Sequence, residues 1–416
     1  MTNFRSKKIS KTVQCIIAAL IVFTGNYSFA GQNIKGIEEG IKKYITDPAL
    51  AACVIEHAKK VGYSIHSLQE LYCNNRNIKS LKGISILPSL KGLDVGKNQI
   101  ERLNEVVNSK SLVWFDAYEN KLEDIQGIQN LKKLEYLNLA YNEISEIKPI
   151  SSLPRMKTLI LSGNKINDIF ALGSLKNVET LYLDSNQITS IDIFSNGLNQ
   201  YQPYTLTDIS ISKNKIKDVK PLALHKGITY LDISNNNVSE ADSLKELRGI
   251  IEANIRSNSI SKLDFLAEWE NLIMLDAGDN SIEELLPLVY LTELSWLNVD
   301  RNKISDLSPI KDLKGLVWIN ANKNIIEYID PISNLVGIEV LKIDFNKIRT
   351  IEAIKGMKSL KRLDIYGNRI SDVTIILELP ELVGVIAGGN PIEDNGPINI
   401  VRQRLQKYRV IESNEN

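Results

Sequence analysis

The sequence predicts a curved, right-handed α/β solenoid of about 15 stacked repeats, with a parallel β-sheet on the concave face and a helical cap at each end. Three observations lead to this prediction. One unit of about 22 residues recurs along most of the chain, an Asn stands at the ninth position of nearly every unit, and segments with helical apolar spacing flank the repeats. A fixed period of this length indicates a solenoid, because each unit buries its apolar face only by stacking on its neighbours.

The repeat has the pattern L-x-x-L-x-L-x-x-N-x-I, followed by further apolar positions at a spacing of three. Its first position advances by 22 residues each time, except for one step of 28 from Val178 to Leu206. Repeat six therefore carries six extra residues, which we place in the stretch from Phe194 to Tyr204. Solenoid insertions emerge as loops, so the strand near Leu206 should resume in register. The first positions are Leu68, Leu90, Leu112, Leu134, Met156, Val178, Leu206, Ile228, Ile250, Leu272, Leu294, Leu316, Ile338, Leu360 and Leu382.

Positions four and six are aliphatic and alternate with polar residues, which is the pattern of a strand with one buried face. The Asn at position nine stands where the chain turns back. Its amide can both donate and accept, so stacked copies can satisfy backbone groups that the turn would bury. Arg76 takes this position in the first repeat, where there is no earlier repeat to bond. The Asn residues are Asn98, Asn120, Asn142, Asn164, Asn186, Asn214, Asn236, Asn258, Asn280, Asn302, Asn324, Asn346, Asn368 and Asn390.

Both ends of the stack have helical patterns that predict caps. Asp47-Pro48 offers an N-cap followed by proline in the first helical turn, and an apolar stripe follows at helical spacing: Leu50, Cys53, Val54, His57, Ala58 and Val61. After the repeats, Pro397 opens a segment in which Ile398, Val401, Leu405 and Tyr408 share one helical face. We therefore divide the mature chain into a cap (31–67), the repeats (68–392) and a closing helix with a tail (393–416).

Residues 1–30 have the pattern of an export signal. A basic start precedes an apolar run from Val13 to Phe23, and Ser28-Phe29-Ala30 offers small residues for cleavage after Ala30. The run is short for a membrane span, although an uncleaved anchor is the alternative. The protein should therefore be secreted or periplasmic, with attachment to the cell surface left open, and should keep no stable membrane span after cleavage.

Signal cleavage would remove Cys15 and leave Cys53 and Cys73 in an oxidising compartment. Cys53 lies on the apolar stripe of the cap, and Cys73 takes the inward sixth position of the first repeat, which that cap must cover. We predict a disulfide between them. Two buried free thiols are the alternative.

These features resemble the internalin-type bacterial leucine-rich repeat proteins. The resemblance rests on the 22-residue unit, on Asp47-Pro48-Ala49-Leu50 in the cap, on Leu71-Tyr72-Cys73-Asn74-Asn75 entering the first turn, and on proline at position sixteen of several repeats. It covers about residues 31 to 395 and implies the solenoid fold. Members of the family include host-receptor binders, but an evident wall-sorting end and the extra domains of many internalins are missing here, so an invasion role is not implied.

Positions three, five and seven should point out from the concave face. Two groups of aromatic residues lie there or at position eight, one across repeats three to six and one across repeats eleven to thirteen. Exposed Trp and Tyr on a sheet favour partner binding, although stacked aromatics can also stabilise neighbouring repeats. We expect Trp296 and Trp318 to lie side by side, with Asn298 and Asn320 as a polar rim. The predicted partner-binding residues are Trp114, Tyr118, Tyr136, Tyr141, Tyr182, Tyr230, Trp296, Asn298, Trp318, Asn320, Phe345 and Tyr366.

Position five is rich in Asp and Asn, and Asp94 and Asp116 would stand next to each other. Their repulsion could be relieved by Ca²⁺ or by hydrogen bonds to a sugar or peptide, or the side chains could simply be solvated. We predict no metal site, because no acidic loop has the spacing of a calcium site, and no cofactor.

An enzyme is not predicted. The three histidines are His57, His66 and His225, and no phosphate loop, zinc cluster or nucleophile motif is evident. Cys53 and His57 lie one helical turn apart, but a core histidine beside a disulfide explains them better than a thiolate pair. Of the 50 basic residues, Arg5, Lys7, Lys8 and Lys11 belong to the signal, which leaves 46 against 50 acidic residues. This balance argues against nucleic acid as a partner.

The sequence thus predicts an exported, monomeric, non-enzymatic scaffold that binds a protein ligand on its concave face. Binding of a glycan or cell-envelope polysaccharide through the same aromatics is the alternative, and a periplasmic inhibitor or structural partner of an enzyme is a third class.

Overall fold

The computed structural model describes residues 34–195 and 205–404, so the predicted signal peptide and the final residues of the tail lie outside the described part. The described part begins with two helices, α1 (Ile34–Tyr44) and α2 (Pro48–Lys60), and residues 396–404 form helix α3. Within the described ranges, none of the helices combines the length and the apolar character needed to cross a membrane.

Between the caps, fifteen parallel strands form one sheet in sequence order, which confirms the predicted solenoid. Neighbouring strands pair at the same repeat position, for example Trp296 with Trp318. The strands are β1 Glu70–Tyr72, β2 Gly92–Asp94, β3 Trp114–Asp116, β4 Tyr136–Asn138, β5 Thr158–Ile160, β6 Thr180–Tyr182, β7 Asp208–Ser210, β8 Tyr230–Asp232, β9 Glu252–Asn254, β10 Met274–Asp276, β11 Trp296–Asn298, β12 Trp318–Asn320, β13 Val340–Lys342, β14 Arg362–Asp364 and β15 Gly384–Ile386.

The convex side is built from 3₁₀ helices of three to five residues, and α-helix occurs only in the caps of the described chain. A repeat of about 22 residues that also contains a strand and a turn has room only for a short helical segment. The 3₁₀ helices are Ile65–Ser67, Ile84–Ile86, Asn104–Val106, Ile128–Asn130, Lys148–Ser152, Phe170–Ser174, Asp192–Ser195, Lys220–Leu224, Asp242–Glu246, Asp264–Glu268, Leu286–Tyr290, Ser308–Ile310, Asp330–Asn334, Glu352–Gly356 and Thr374–Glu378.

The Asn at position nine ties each repeat to the one before it. In Asn302, Oδ1 accepts from the backbone N–H of Ile282 at 2.9 Å, and Nδ2 donates to Ala277 O at 3.0 Å and to Val299 O at 3.1 Å. The same pattern recurs from Asn98 to Asn390. Because each amide reaches backwards, the first repeat needs none. Its Arg76 instead pairs with Glu56 of α2 at 2.8 Å.

The N-terminal cap is fixed to the first repeat by Asp47. One carboxylate oxygen accepts from the N–H groups of Ala49 and Leu50, which caps α2, and the other accepts from Lys79 N at 2.8 Å in the first repeat. At the other end, Ile398 and Val401 of α3 are buried, and Arg404 donates to Leu379 O at 2.8 Å. Leu405 and Tyr408, also predicted for this face, lie outside the described residues.

The predicted disulfide joins α2 to the residue that follows β1. Cys53 and Cys73 are bonded with their Cα atoms 5.8 Å apart, and both are fully buried. His57 Nδ1 lies 3.0 Å from Cys53 O. The spacing of Cys53 and His57 therefore reflects packing around a disulfide, and Cys53 offers no thiolate.

Reduction of the Cys53–Cys73 bond gives a simple test of this link. The intact mass of the reduced protein should exceed that of the native protein by one pair of hydrogens. Replacing both cysteines with Ser should lower the free energy of unfolding by about 3 kcal/mol, because the bond restricts the unfolded chain. An unchanged mass on reduction under denaturing conditions would show two free thiols.

The long sixth repeat confirms one expectation and corrects another. Strand β7 pairs with β6 in the usual register, with Thr180 opposite Asp208, so the stack continues through the insertion. Phe194, however, does not belong to the extra residues. It is buried and continues the inward spacing from Ile191, to whose carbonyl it donates at 3.0 Å. The extra residues therefore follow Phe194, and Tyr201, Pro203 and Tyr204 lie outside the described range.

Deleting six residues between 196 and 204 should leave a stable, cooperatively folded protein, because the repeats on either side already pair in register. The deletion should keep Phe194, whose ring contacts that of His225 edge to face at 5.8 Å. Circular dichroism and thermal melting would check this. Aggregation of the shortened protein, with wild-type material folded in parallel, would show that the insertion supports the core.

Candidate functional site

Several of the predicted aromatics lie over glycines of a neighbouring repeat. The Trp114 indole lies where a Gly92 side chain would be, and the rings of Tyr118 and Tyr141 cover Gly96 and Gly163 in the same way. A glycine in a strand or turn leaves a gap, and an aromatic ring from the next strand fills it. These three rings therefore contribute to the packing of the sheet's own surface.

The same arrangement recurs near the C-terminal end. Phe345 lies over Gly367 and Tyr366 over Gly388, and the two aromatic rings contact each other at 5.1 Å. The alternative that aromatics stabilise neighbouring repeats thus has direct structural support for these residues.

Tyr136, Tyr182 and Tyr230 are half-buried and lie beside carboxylates on the concave face. Burial, together with the smaller effect of the nearby Asp232 charge, raises the pKa of Tyr230 to about 12. The pKa of Tyr182 is raised by burial and then by Asp208 and Asp184. All three phenols therefore remain hydrogen-bond donors in a stretch of negative charge.

The Asp and Asn side chains at position five have a local role that the sequence did not reveal. All of them except Asp364, which accepts from Arg362 Nε, accept a hydrogen bond from the backbone N–H two residues later. Asp94, for example, accepts from Gly96 N at 2.9 Å and Asn320 from Asn322 N at 3.1 Å. These short Asx turns end the strands. No group of His, Cys, Asp and Glu side chains in the described ranges could hold a metal ion.

Asn298 requires a correction. We predicted it as part of a hydrogen-bonding rim, but the residue is only 5% exposed and its Oδ1 accepts from Asp300 N at 3.2 Å. Next to Asn298, Arg256 donates to Asp300 Oδ2 at 3.1 Å, and the two side chains form an ion pair. Asn320 remains half-exposed.

Trp296 and Trp318 form the predicted side-by-side pair on β11 and β12. Their ring centroids are 4.3 Å apart and the ring planes are inclined by 7°. Because the rings face each other along the direction of strand pairing, their edges point away from the sheet. Lys342 Nζ lies 5.4 Å from the centroid of Trp318. The pair therefore offers apolar edges to a partner, while its inner faces are occupied.

Sequence reasoning missed the apolar residues that extend this pair. Ile251, Ile273 and Val317 stand at position two, just before the strands, and all three are exposed, as is Met274 next to Trp296 in the sheet. In several other repeats position two is charged and forms ion pairs, such as Lys157 with Glu135 at 3.0 Å. Comparing the residues at position two across all repeats would have revealed the apolar residues at this point of the stack. We call this surface the tryptophan patch: Ile251, Ile273, Met274, Trp296, Val317, Trp318 and Val340.

Comparisons with known proteins agree with this architecture. A family model described as Leucine Rich repeats (2 copies) matches residues 154–196. No curated protein matches the chain. The crystal structure of an internalin (InlF) from Listeria monocytogenes is similar, with 25% identity, a TM-score of 0.67, and coverage of 83% of this chain and 96% of that one.

Two further solved structures share the fold. A leucine-rich repeat protein of Leptospira interrogans has 24% identity and a TM-score of 0.70 over 77% of this chain and 84% of its own. The functional domain of InlJ from Listeria monocytogenes, which includes a cysteine ladder, has 20% identity and a TM-score of 0.67 over 82% and 78%. The chain is a leucine-rich repeat solenoid. Among proteins of this fold, the solved structures to which the chain is similar include two internalins of Listeria monocytogenes.

Proposed function

We propose that this protein is an exported, non-enzymatic scaffold that binds a protein partner on its concave face, centred on the tryptophan patch. The observation that carries this proposal is the stacked pair of Trp296 and Trp318 inside an unbroken row of apolar residues on four adjacent strands, from Met274 to Val340. Monomeric proteins rarely leave large contiguous apolar surface in water without an interaction to make. Trp residues surrounded by smaller apolar residues are typical of the centre of a protein interface.

The geometry of the pair favours protein over glycan. A sugar ring stacks on the free face of an aromatic ring. Here the two indoles cover each other, Lys342 lies over Trp318, and Met274 is the strand neighbour on the other side of Trp296. Side chains of a protein can pack on the remaining edges, and the surrounding aliphatic residues suit them better than sugar hydroxyls.

The absence of enzymatic activity is part of the proposal and rests on the state of the candidate groups. Cys53 is in a disulfide, and His57 lies beside it in the cap. His225 is buried, with Nε2 3.1 Å from Phe194 O. We also propose export through the signal peptide at 1–30. We propose a monomeric protein because helices cap the apolar core at both ends of the stack: α2 is bonded to the first repeat through Cys53 and Cys73, and Ile398 and Val401 of α3 are buried.

A comparison of ligands would test the proposal. Immobilised wild-type protein and a variant with Trp296→Ala and Trp318→Ala would be exposed to the exported proteins of the source organism and, in parallel, to a glycan array. We expect one or more proteins to be retained by the wild type and lost with the variant. Retention of a glycan that depends on both tryptophans, without any protein, would favour the alternative function.

A further inference from the structure

A cleft of about 1000 Å³ opens beside the tryptophan patch, at the edge where β9 and β10 begin. Ile251 and Ile273 line this cleft and also belong to the patch, so the two surfaces are continuous. Tyr290, which is 63% exposed, adds an aromatic ring, and three carboxylates complete the charged lining: Glu268, Glu270 and Glu293. The cleft thus combines aliphatic, aromatic and acidic groups in one place.

The negative charges that line the cleft are only partly paired with basic side chains. Glu268 pairs with Arg248 at 2.9 Å. Glu270 and Glu293 form no ion pair with any residue in the ranges 34–195 and 205–404, and no basic side chain lines the cleft. Other Glu residues at the edge before the strands do have a partner, as Glu339 has in Lys361 at 2.8 Å and Glu135 in Lys157 at 3.0 Å. The cleft is therefore a place of net negative charge next to an apolar surface.

We propose that this cleft receives a Lys or Arg side chain of the protein that occupies the tryptophan patch. The aliphatic stem of such a side chain would cover Ile251 and Ile273, in the way that long basic side chains lie along apolar surfaces. Its cationic end would be held by Glu270 and Glu293 and by the face of Tyr290. The recognised segment thus carries a large apolar residue close to a basic one, an inference that rests on the proposed function.

The cleft can be tested without the natural partner. N-acetyl-arginine amide would be titrated into the whole protein while the methyl signals of Ile251 and Ile273 are followed by NMR. We expect saturable shifts, which N-acetyl-norleucine amide, of similar stem but without charge, does not reproduce. Each of Glu270→Gln and Glu293→Gln should weaken binding about threefold. Glu283→Gln is the matched control, because Glu283 lies in the same repeat as Glu293 but does not line the cleft. Equal shifts with the norleucine compound would overturn the cationic pocket.

A second experiment separates this inference from the proposed function. Random peptides displayed on phage would be selected on the wild type, on the variant lacking both patch tryptophans, and on a variant with Glu270→Lys and Glu293→Lys. We expect wild-type peptides to combine an apolar residue with Lys or Arg, and the charge-reversed variant to select acidic residues instead. If the selected peptides require the tryptophans but show no preference for Lys or Arg, the inference about the cleft is wrong and the proposed function stands. If the wild type enriches no peptides that the tryptophan variant does not also enrich, the proposed function is wrong. In that case the NMR titration still shows whether the cleft binds a cationic side chain.

Discussion

Replacing Trp296 or Trp318 with Ala is expected to weaken partner binding by about 2 kcal/mol or more, which is roughly thirtyfold in affinity. Each substitution removes one half of the stacked pair and opens the centre of the tryptophan patch to water. Stability should fall by only about 1 kcal/mol, the contribution typical of an aromatic pair. Titration calorimetry with the captured partner and denaturant unfolding would measure the two effects.

Tyr328→Ala is the control for these variants. Tyr328 is 65% exposed and lies between β12 and the next 3₁₀ helix, so it belongs to the same repeat as Trp318 but not to the patch. Its removal should change neither affinity nor stability by much. If the double tryptophan variant melts far below the wild type but binds the partner equally well, the pair is structural and the patch is not a binding centre.

Replacing Trp269 with Ala is expected to give the largest loss of stability, about 3–5 kcal/mol in the free energy of unfolding. Trp269 is fully buried, its Nε1 donates to Leu244 O at 3.0 Å, and its ring contacts Phe265 edge to face at 5.3 Å. The substitution would leave a cavity in the middle of the stack and remove one of the two hydrogen bonds that Leu244 O accepts, the other being from Leu247 N. Urea unfolding followed by circular dichroism would measure the loss.

A matched substitution tests the cause of this loss. Neighbouring repeats have Leu at the same position, for example Leu291 and Leu313, and both are buried. Trp269→Leu should therefore be tolerated much better than Trp269→Ala, because it refills most of the cavity. Equal unfolding midpoints for Trp269→Ala and the wild type would contradict the assignment of this residue to the core.

The fold could be predicted from the sequence because its determinants are periodic. An Asn at position nine of every repeat but the first, and an apolar residue at positions four and six, leave one register in which the amides bond and the apolar rows are buried. The insertion could be located only within a window, because counting steps does not show which residue first leaves the core. Phe194 was placed in the insertion for that reason, although its buried position continues the spacing from Ile191.

The candidate site was less predictable, because exposure and orientation depend on the neighbouring repeat. Asn298 was expected at the surface but is buried by its own turn and by the Arg256–Asp300 pair beside it. The packing of Trp114 on Gly92 could have been found, since the two residues lie one repeat apart at the same position. The carboxylates of the cleft come from two repeats and from positions outside the strand, so no single column contains them.

Site-specific photocrosslinking in the source organism tests the central claim most directly. A benzophenone amino acid would replace Met274 within the tryptophan patch or, as a control, Tyr328 outside it. We predict a covalent adduct with one defined exported protein from position 274, lost when Trp296 and Trp318 are also replaced with Ala, and no such adduct from position 328. An adduct that forms equally from both positions, or that persists without the tryptophans, would contradict recognition through the concave face.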